Sequence, residues 1–128
     1  MKIAALISIK EMINMAFIFE KLDVYQKSVS FATKSYQLCR HIHDRNIKDQ
    51  LQRAALSIPL NIAEGNGKFT SKEKSQFFRI ARGSLFECIP LLQICHNLKY
   101  IPCDNFINLY NCAQEIGMML NGLINSYK

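Results

Sequence analysis

Apolar residues recur every three or four positions through most of the chain, the period of amphipathic helices. Over residues 23–42, Tyr25, Val29, Ala32, Tyr36 and Cys39 form one stripe, and Val24, Phe31 and Leu38 form a second beside it. That face is wider than one core contact requires. The helix is then either deeply embedded in its own bundle or packed also against a neighbouring protomer, and Val24, Phe31 and Leu38 are taken as the candidate oligomer interface. Over residues 47–64, Leu51, Ala55, Ile58 and Ile62 make a core stripe opposite a polar line of Gln50, Arg53, Ser57, Asn61 and Glu64. A third stripe runs Phe77, Ala81, Ser84, Cys88, Leu91 and Cys95, and a fourth runs Phe106, Leu109, Ala113, Ile116, Leu120, Leu123 and Tyr127. No strand pattern of comparable length competes. Short connectors between long amphipathic helices predict an all-α, antiparallel up-down four-helix bundle.

Polar punctuation supports this division. Asp23 and Asp104 are N-cap candidates, and Thr70 followed by Glu73 has capping-box spacing. Gly65-Asn66-Gly67 is expected to stop the second helix in left-handed conformations. Pro59 lacks an N–H and its ring crowds the carbonyl of Ala55, which predicts a kink in the second helix; Pro90 is expected to bend the third near Phe86. Residues 1–16 are read as an N-terminal extension and 17–128 as the bundle domain. The early apolar run is interrupted by Lys10 and Glu11 and lacks a small-residue cleavage site, unlike a signal peptide.

Charge adds a direction. The 128 residues carry a formal +6, with +4 between residues 21 and 53, +2 between 70 and 98, and balance beyond. Lys27, Lys34, Arg45, Lys48, Lys68, Lys72 and Lys74 are the candidate phosphate contacts for RNA or DNA. Five cysteines, an odd number with no CxxC pair, suit reduced cytoplasmic thiols better than a disulfide framework.

Other chemistry is poorly supported. Cys39, His41 and His43, or Cys88, Cys95 and His96, lack spacing that converges ligands on one metal ion. Ser84 has no nucleophile-elbow context. Residues 64–68 follow a helix, not a strand, and lack the ending of a phosphate loop. Glu64 and Glu87 read as members of a structural polar network with Arg53, Arg79 and Arg82, not as an acid–base pair. No enzyme activity, cofactor, metal or membrane span is expected.

The segments Leu22 to Ser28, Gln50 to Gly65 and Phe77 to Glu87, the last containing Ala81-Arg82-Gly83-Ser84-Leu85, resemble the four-helix-bundle proteins encoded by intervening sequences of bacterial 23S rRNA genes. Relatives of the accessory variability determinant of diversity-generating retroelements belong to the same group. The resemblance spans about residues 17–125. It implies a ring-shaped homopentamer with a basic surface and, in the retroelement branch, a reverse transcriptase and nucleic acid as partners. Gln52 and Lys68 stand where arginines are common, and Pro90 where the helix is usually unbroken. The expected function is non-catalytic binding of RNA or DNA by a homo-oligomer; the alternative is a protein-interaction scaffold.

Overall fold

The computed structural model describes residues 17–128; the N-terminal extension, 1–16, lies outside the described residues. A 3-10 turn, Ile18–Lys21, leads into α1 (Asp23–Cys39), α2 (Arg45–Asn66), α3 (Ser71–Asn97) and α4 (Cys103–Ser126), with no strand among the described residues. Each helix packs on its neighbours in sequence, and α4 closes the ring against α1. Ser57 meets Ser84 while Asn66 meets Lys74, so α2 and α3 run antiparallel. The connectors at 40–44 and 98–102 share one end of the bundle, and 67–70 lies at the other.

The helix starts follow local chemistry. Asp44 caps α2 by accepting from the N–H of Ile47 at 3.2 Å. The Thr70 hydroxyl accepts from the N–H of Glu73 at 3.1 Å and donates to that carboxylate at 2.9 Å, a variant of the expected capping box. Asp23 and Asp104 are not N-caps: Leu22 and Pro102 hold those positions, and both acids sit in the first turn, where the helix dipole favours them. α2 is continuous from Arg45 to Asn66 through Pro59, and α3 is continuous through Pro90.

The core corrects the reading of α1. Val24, Phe31 and Leu38 have only 5%, 0% and 5% of their surface exposed, so they fill this protomer's own interior and offer nothing to a neighbour. The seam is Val24, Ser28, Phe31, Ser35, Leu38, spaced alternately by four and three, as in coiled-coil packing. The second stripe supplies three of these five positions and serine holds the other two; of the first stripe, Ala32 and Cys39 are buried, whereas Val29 and Tyr36 are exposed. Ser28 satisfies its hydroxyl by donating to the carbonyl of Tyr25 at 2.7 Å. The Ser35 hydroxyl is buried without a protein partner, which costs about 1–3 kcal/mol.

The expected stripe of α2 is fully buried at Leu51, Ala55, Ile58 and Ile62. On α3 the inward aromatic is Phe78 and not Phe77, and Leu85 takes the inward place expected for Ser84. α4 buries Leu109, Ala113, Ile116 and Leu120 as expected.

Gly65 contributes in a way the turn reading did not foresee. No glycine has a positive φ. Gly65 lies within α2, and a Cβ there would sit 2.8 Å from Phe78 Cε1 and 3.0 Å from Phe77 Cβ. Its role is to let α2 and α3 approach closely. The left-handed residue is Lys99, at φ 61°.

Candidate nucleic-acid interface

The end of the bundle formed by connectors 40–44 and 98–102 gathers Lys34 and Arg40 from α1 and its cap, Arg45 and Lys48 from the first turns of α2, and Lys99 from the α3–α4 connector. Asp44, Asp49 and Asp104 lie at the same end, giving a net +2 before any histidine is protonated. Asp44 is occupied as the α2 cap. The chain's three histidines, His41, His43 and His96, are in or next to these connectors.

None of the five cations is in an ion pair. Among the described residues, the two ion pairs are Lys27–Glu115 at 2.8 Å and Lys68–Glu64 at 3.4 Å, both away from this end. Cations that no carboxylate neutralises keep their field for an outside anion.

The seven candidate phosphate contacts do not form one surface. Lys34, Arg45 and Lys48 lie at the connector end. Lys27 is held mid-bundle by Glu115 of α4, whose hydrogen bond and charge raise the lysine's pKa above its ordinary 10.5. Any stability from that raised pKa is fully present below pH 10.5 and is lost as pH climbs through the higher folded value. Lys68, Lys72 and Lys74 lie around the opposite end. Lys68 pairs with Glu64 and sits over the Phe77 ring, 5.1 Å from its centroid. Lys74 donates to the carbonyl of Asn66 at 2.8 Å, which satisfies an orphan acceptor at the end of α2. Arg40, His41 and Lys99 were not among the expected residues. They become candidates once the up-down topology brings two connectors that are distant in sequence to one end.

The expected polar network also does not form. Arg79 donates to Ser75 Oγ within its own helix at 3.2 Å, Arg82 donates to Asn121 Oδ1 of α4 at 2.8 Å, and Glu64 pairs with Lys68. Arg53 and Glu87 are exposed and make no ion pair. Arg82 is half-buried and turns to α4, and no ion pair joins any two of the five. Besides the Lys74 bond to Asn66, a smaller polar contact joins α2 to α3. Ser84 donates to Ser57 Oγ at 2.8 Å, and Asn61 Nδ2 donates to the same oxygen at 2.9 Å. An amide donor is not a base, so Ser84 is not activated as a nucleophile.

The thiols are similarly quiet. Burial pushes Cys39 up to about 11 and Cys88 up to about 12, and it also raises Cys95. Neutral thiols are poor nucleophiles and poor metal ligands. Among the described residues no group of three or more His, Cys, Asp or Glu is placed to hold a metal ion. No helix of the described residues is long and apolar enough to cross a membrane.

These features define a small all-α bundle protein with an unneutralised basic end. The sequence profile of the 23S rRNA-intervening sequence proteins matches residues 20–122, and the chain belongs to that family. Its fold is similar to the crystal structure of a protein of unknown function from the S23 ribosomal protein family of Bacteroides thetaiotaomicron. The TM-score is 0.74 at 23% identity, over 79% of this chain and 97% of that one. No curated protein matches the chain. No catalytic family is indicated.

Proposed function

We propose that this protein is a non-catalytic homo-oligomer that binds nucleic acid through the connector end of each bundle. The observation that carries the reading is that Lys34, Arg40, Arg45, Lys48 and Lys99 share one end without an ion pair among them. Phosphate neutralisation by such groups releases counterions, so affinity falls linearly on a log–log plot against salt. With five contacts the slope is roughly −3.5 for a single strand, at about −0.7 per phosphate. The expected result is binding of RNA or DNA at low salt that weakens along such a slope; no binding at low salt overturns the reading.

Assembly is assigned to the outer face of α2 and α3 in place of the stripe on α1. Leu56, Leu60 and Ile80 are 43%, 57% and 45% exposed there. A Cβ at Gly83 would meet nothing within 4 Å, which leaves room for close approach. Arg53 and Glu87 flank the face with opposite charges that can pair between copies. Fivefold closure is the number that the family resemblance implies, and a ring presenting five basic ends converts modest affinity into avidity. Leu60→Asp combined with Ile80→Asp is expected to yield a folded monomer by circular dichroism and light scattering; an unchanged oligomer mass excludes this face.

The scaffold reading draws on a different place. A groove of about 410 Å³ between α3 and α4 has Phe86 and Met118, 59% and 74% exposed, on its rim. Under that reading, Phe86→Ser and Met118→Ser abolish capture of a protein partner, such as a reverse transcriptase, and leave nucleic-acid binding intact.

A further inference from the structure

Lys99 occupies a backbone position that strongly favours glycine. The N–H of Lys99 donates to the carbonyl of His96 at 3.0 Å, and that of Tyr100 to the carbonyl of Cys95 at 2.8 Å. Those two bonds are the Schellman motif that ends α3, with Lys99 as its left-handed residue at φ 61°. A side chain there is strained, because Cβ crowds the backbone. Nothing in the fold uses the lysine side chain: it is exposed and makes no ion pair or protein hydrogen bond. Retained strain of this kind points to a use outside the fold.

The side chain borders a trough. One hollow of about 570 Å³ is lined by Lys99, Tyr100 and His41. A second of about 350 Å³ is lined by Lys34, Gln37, Asn105 and Asn108. Leu38, His41 and Asn105 line both, so the hollows adjoin and together form a slot between the end of α1, the α3–α4 connector and the start of α4. A lysine stands in each half, and no carboxylate lines either half. The remaining polar groups are amides, an imidazole and a phenol.

We infer that this slot is a binding site for single-stranded nucleic acid, with Lys34 and Lys99 on successive phosphates, Tyr100 against a base, and Asn105 and Asn108 on base edges. The inference rests on the nucleic-acid reading above and narrows it to single strands. The slot is concave, of a size that accepts small ligands. An unpaired strand turns its bases outward onto aromatic and amide groups, whereas a duplex presents mainly its phosphates. A convex basic surface would bind both; a slot with an aromatic wall favours the unpaired strand.

The test is Lys99→Gly. Relief of the left-handed strain is expected to raise Tm by roughly 4 °C, the size of shift that about 1 kcal/mol produces in a domain of this length. The same change is expected to weaken single-stranded binding about tenfold and to make the salt slope shallower by about 0.7, the contribution of one phosphate. A more stable protein that binds less cannot be attributed to misfolding. Asn105→Ala with Asn108→Ala, two exposed positions, is expected to reduce single-stranded affinity at least fivefold and leave duplex affinity unchanged. Asn111→Ala, outside the slot on the same helix, is the control.

The probes are a homopolymer RNA, a homopolymer DNA and a duplex of equal length. Wild-type preference for single strands by about tenfold supports the slot, and the RNA and DNA arms identify which sugar it takes. Equal affinity for strand and duplex, or a Lys99→Gly protein with undiminished binding, overturns the slot while the basic-end reading stands. Failure of all three probes at low salt overturns the basic-end reading itself.

Discussion

Phe31→Ala is expected to destabilise the protein by about 3–5 kcal/mol, the cost of emptying a fully buried phenylalanine site. That is a large share of the ~5–15 kcal/mol that holds a domain together. Phe31 has no exposed surface, and its neighbours along the seam, Ser28 and Ser35, are too small to close over the vacancy. Chemical denaturation of the folded chain measures the loss directly. An interface role would give a different result: a protein of unchanged stability after correction for oligomer mass. The combined change of Val24, Phe31 and Leu38 to serine is expected to unfold the chain, because it places three more hydroxyls in a core where one, Ser35, already lacks a partner.

Gly65→Ala carries the second large effect. In an ordinary helix the change would gain about 1 kcal/mol, since alanine has the better helix propensity. Here the new methyl meets Phe78, itself 1% exposed and unable to swing aside, at 2.8 Å, and meets the Cβ of Phe77, which is fixed to the α3 backbone, at 3.0 Å. Relief requires α2 and α3 to separate, and overpacking of this kind costs about 1–3 kcal/mol or more. A net loss of up to about 2 kcal/mol is expected. Gly67→Ala is the matched comparison. Its Cβ would lie 3.6 Å from the carbonyl oxygen of Glu64, an ordinary contact, at φ −82°. It is expected to be neutral or to stabilise by up to about 1 kcal/mol through the unfolded chain. Equal losses at both positions would show that the glycines serve the turn and not the packing.

The parts of the fold that were legible in sequence share one property: their core positions are apolar without exception. α2 shows this at Leu51, Ala55, Ile58 and Ile62, and α4 at Leu109, Ala113, Ile116 and Leu120. On α1 the stripe Val24, Phe31 and Leu38 is legible but its place is not: serine at positions 28 and 35 thins it, and the exposed Val29 and Tyr36 thicken its neighbour. Adjacent Phe77 and Phe78 are ambiguous by one residue in the sequence, and in the fold Phe78 turns inward, between Gly65 and Tyr127. The Gly65-Asn66-Gly67 run looked like left-handed punctuation, yet its glycines have negative φ, and the left-handed position belongs to a lysine.

The candidate site was legible only in part, for a reason of topology. Net charge and the basic bias of the first half are sequence properties, and Lys34, Arg45 and Lys48 follow from them. Whether a lysine is available depends on what folding places beside it. Lys27 meets Glu115 from a helix nearly ninety positions away, at a separation of 88, and Lys74 is used to cap α2. In the other direction, Lys99 is one cation in a charge-balanced stretch until the bundle closes and sets it beside His41. The expected network of Arg53, Glu64, Arg79, Arg82 and Glu87 did not form because Arg79, Arg82 and Glu64 take other partners, Ser75, Asn121 and Lys68, which their spacing in the sequence does not single out.

The proposed oligomeric assembly and the proposed nucleic-acid binding draw on separate surfaces, so the two proposals separate experimentally. The α2–α3 face carries Leu56, Leu60 and Ile80, and the connector end carries the unneutralised cations. A monomer made at the first surface retains the single-chain salt slope and loses only avidity.

The most direct test compares two charge-removal variants in a salt-titrated binding experiment with the same single-stranded RNA. One is Lys34→Ala, Arg45→Ala and Lys48→Ala at the connector end; the other is Lys68→Ala and Lys72→Ala at the opposite end. The connector-end variant is expected to make the salt slope shallower by about 2, three phosphates at about 0.7 each, while the opposite-end variant keeps the wild-type slope. Equal loss in both variants, or a connector-end variant that binds as wild type, would contradict the assignment of the nucleic-acid interface to the connector end.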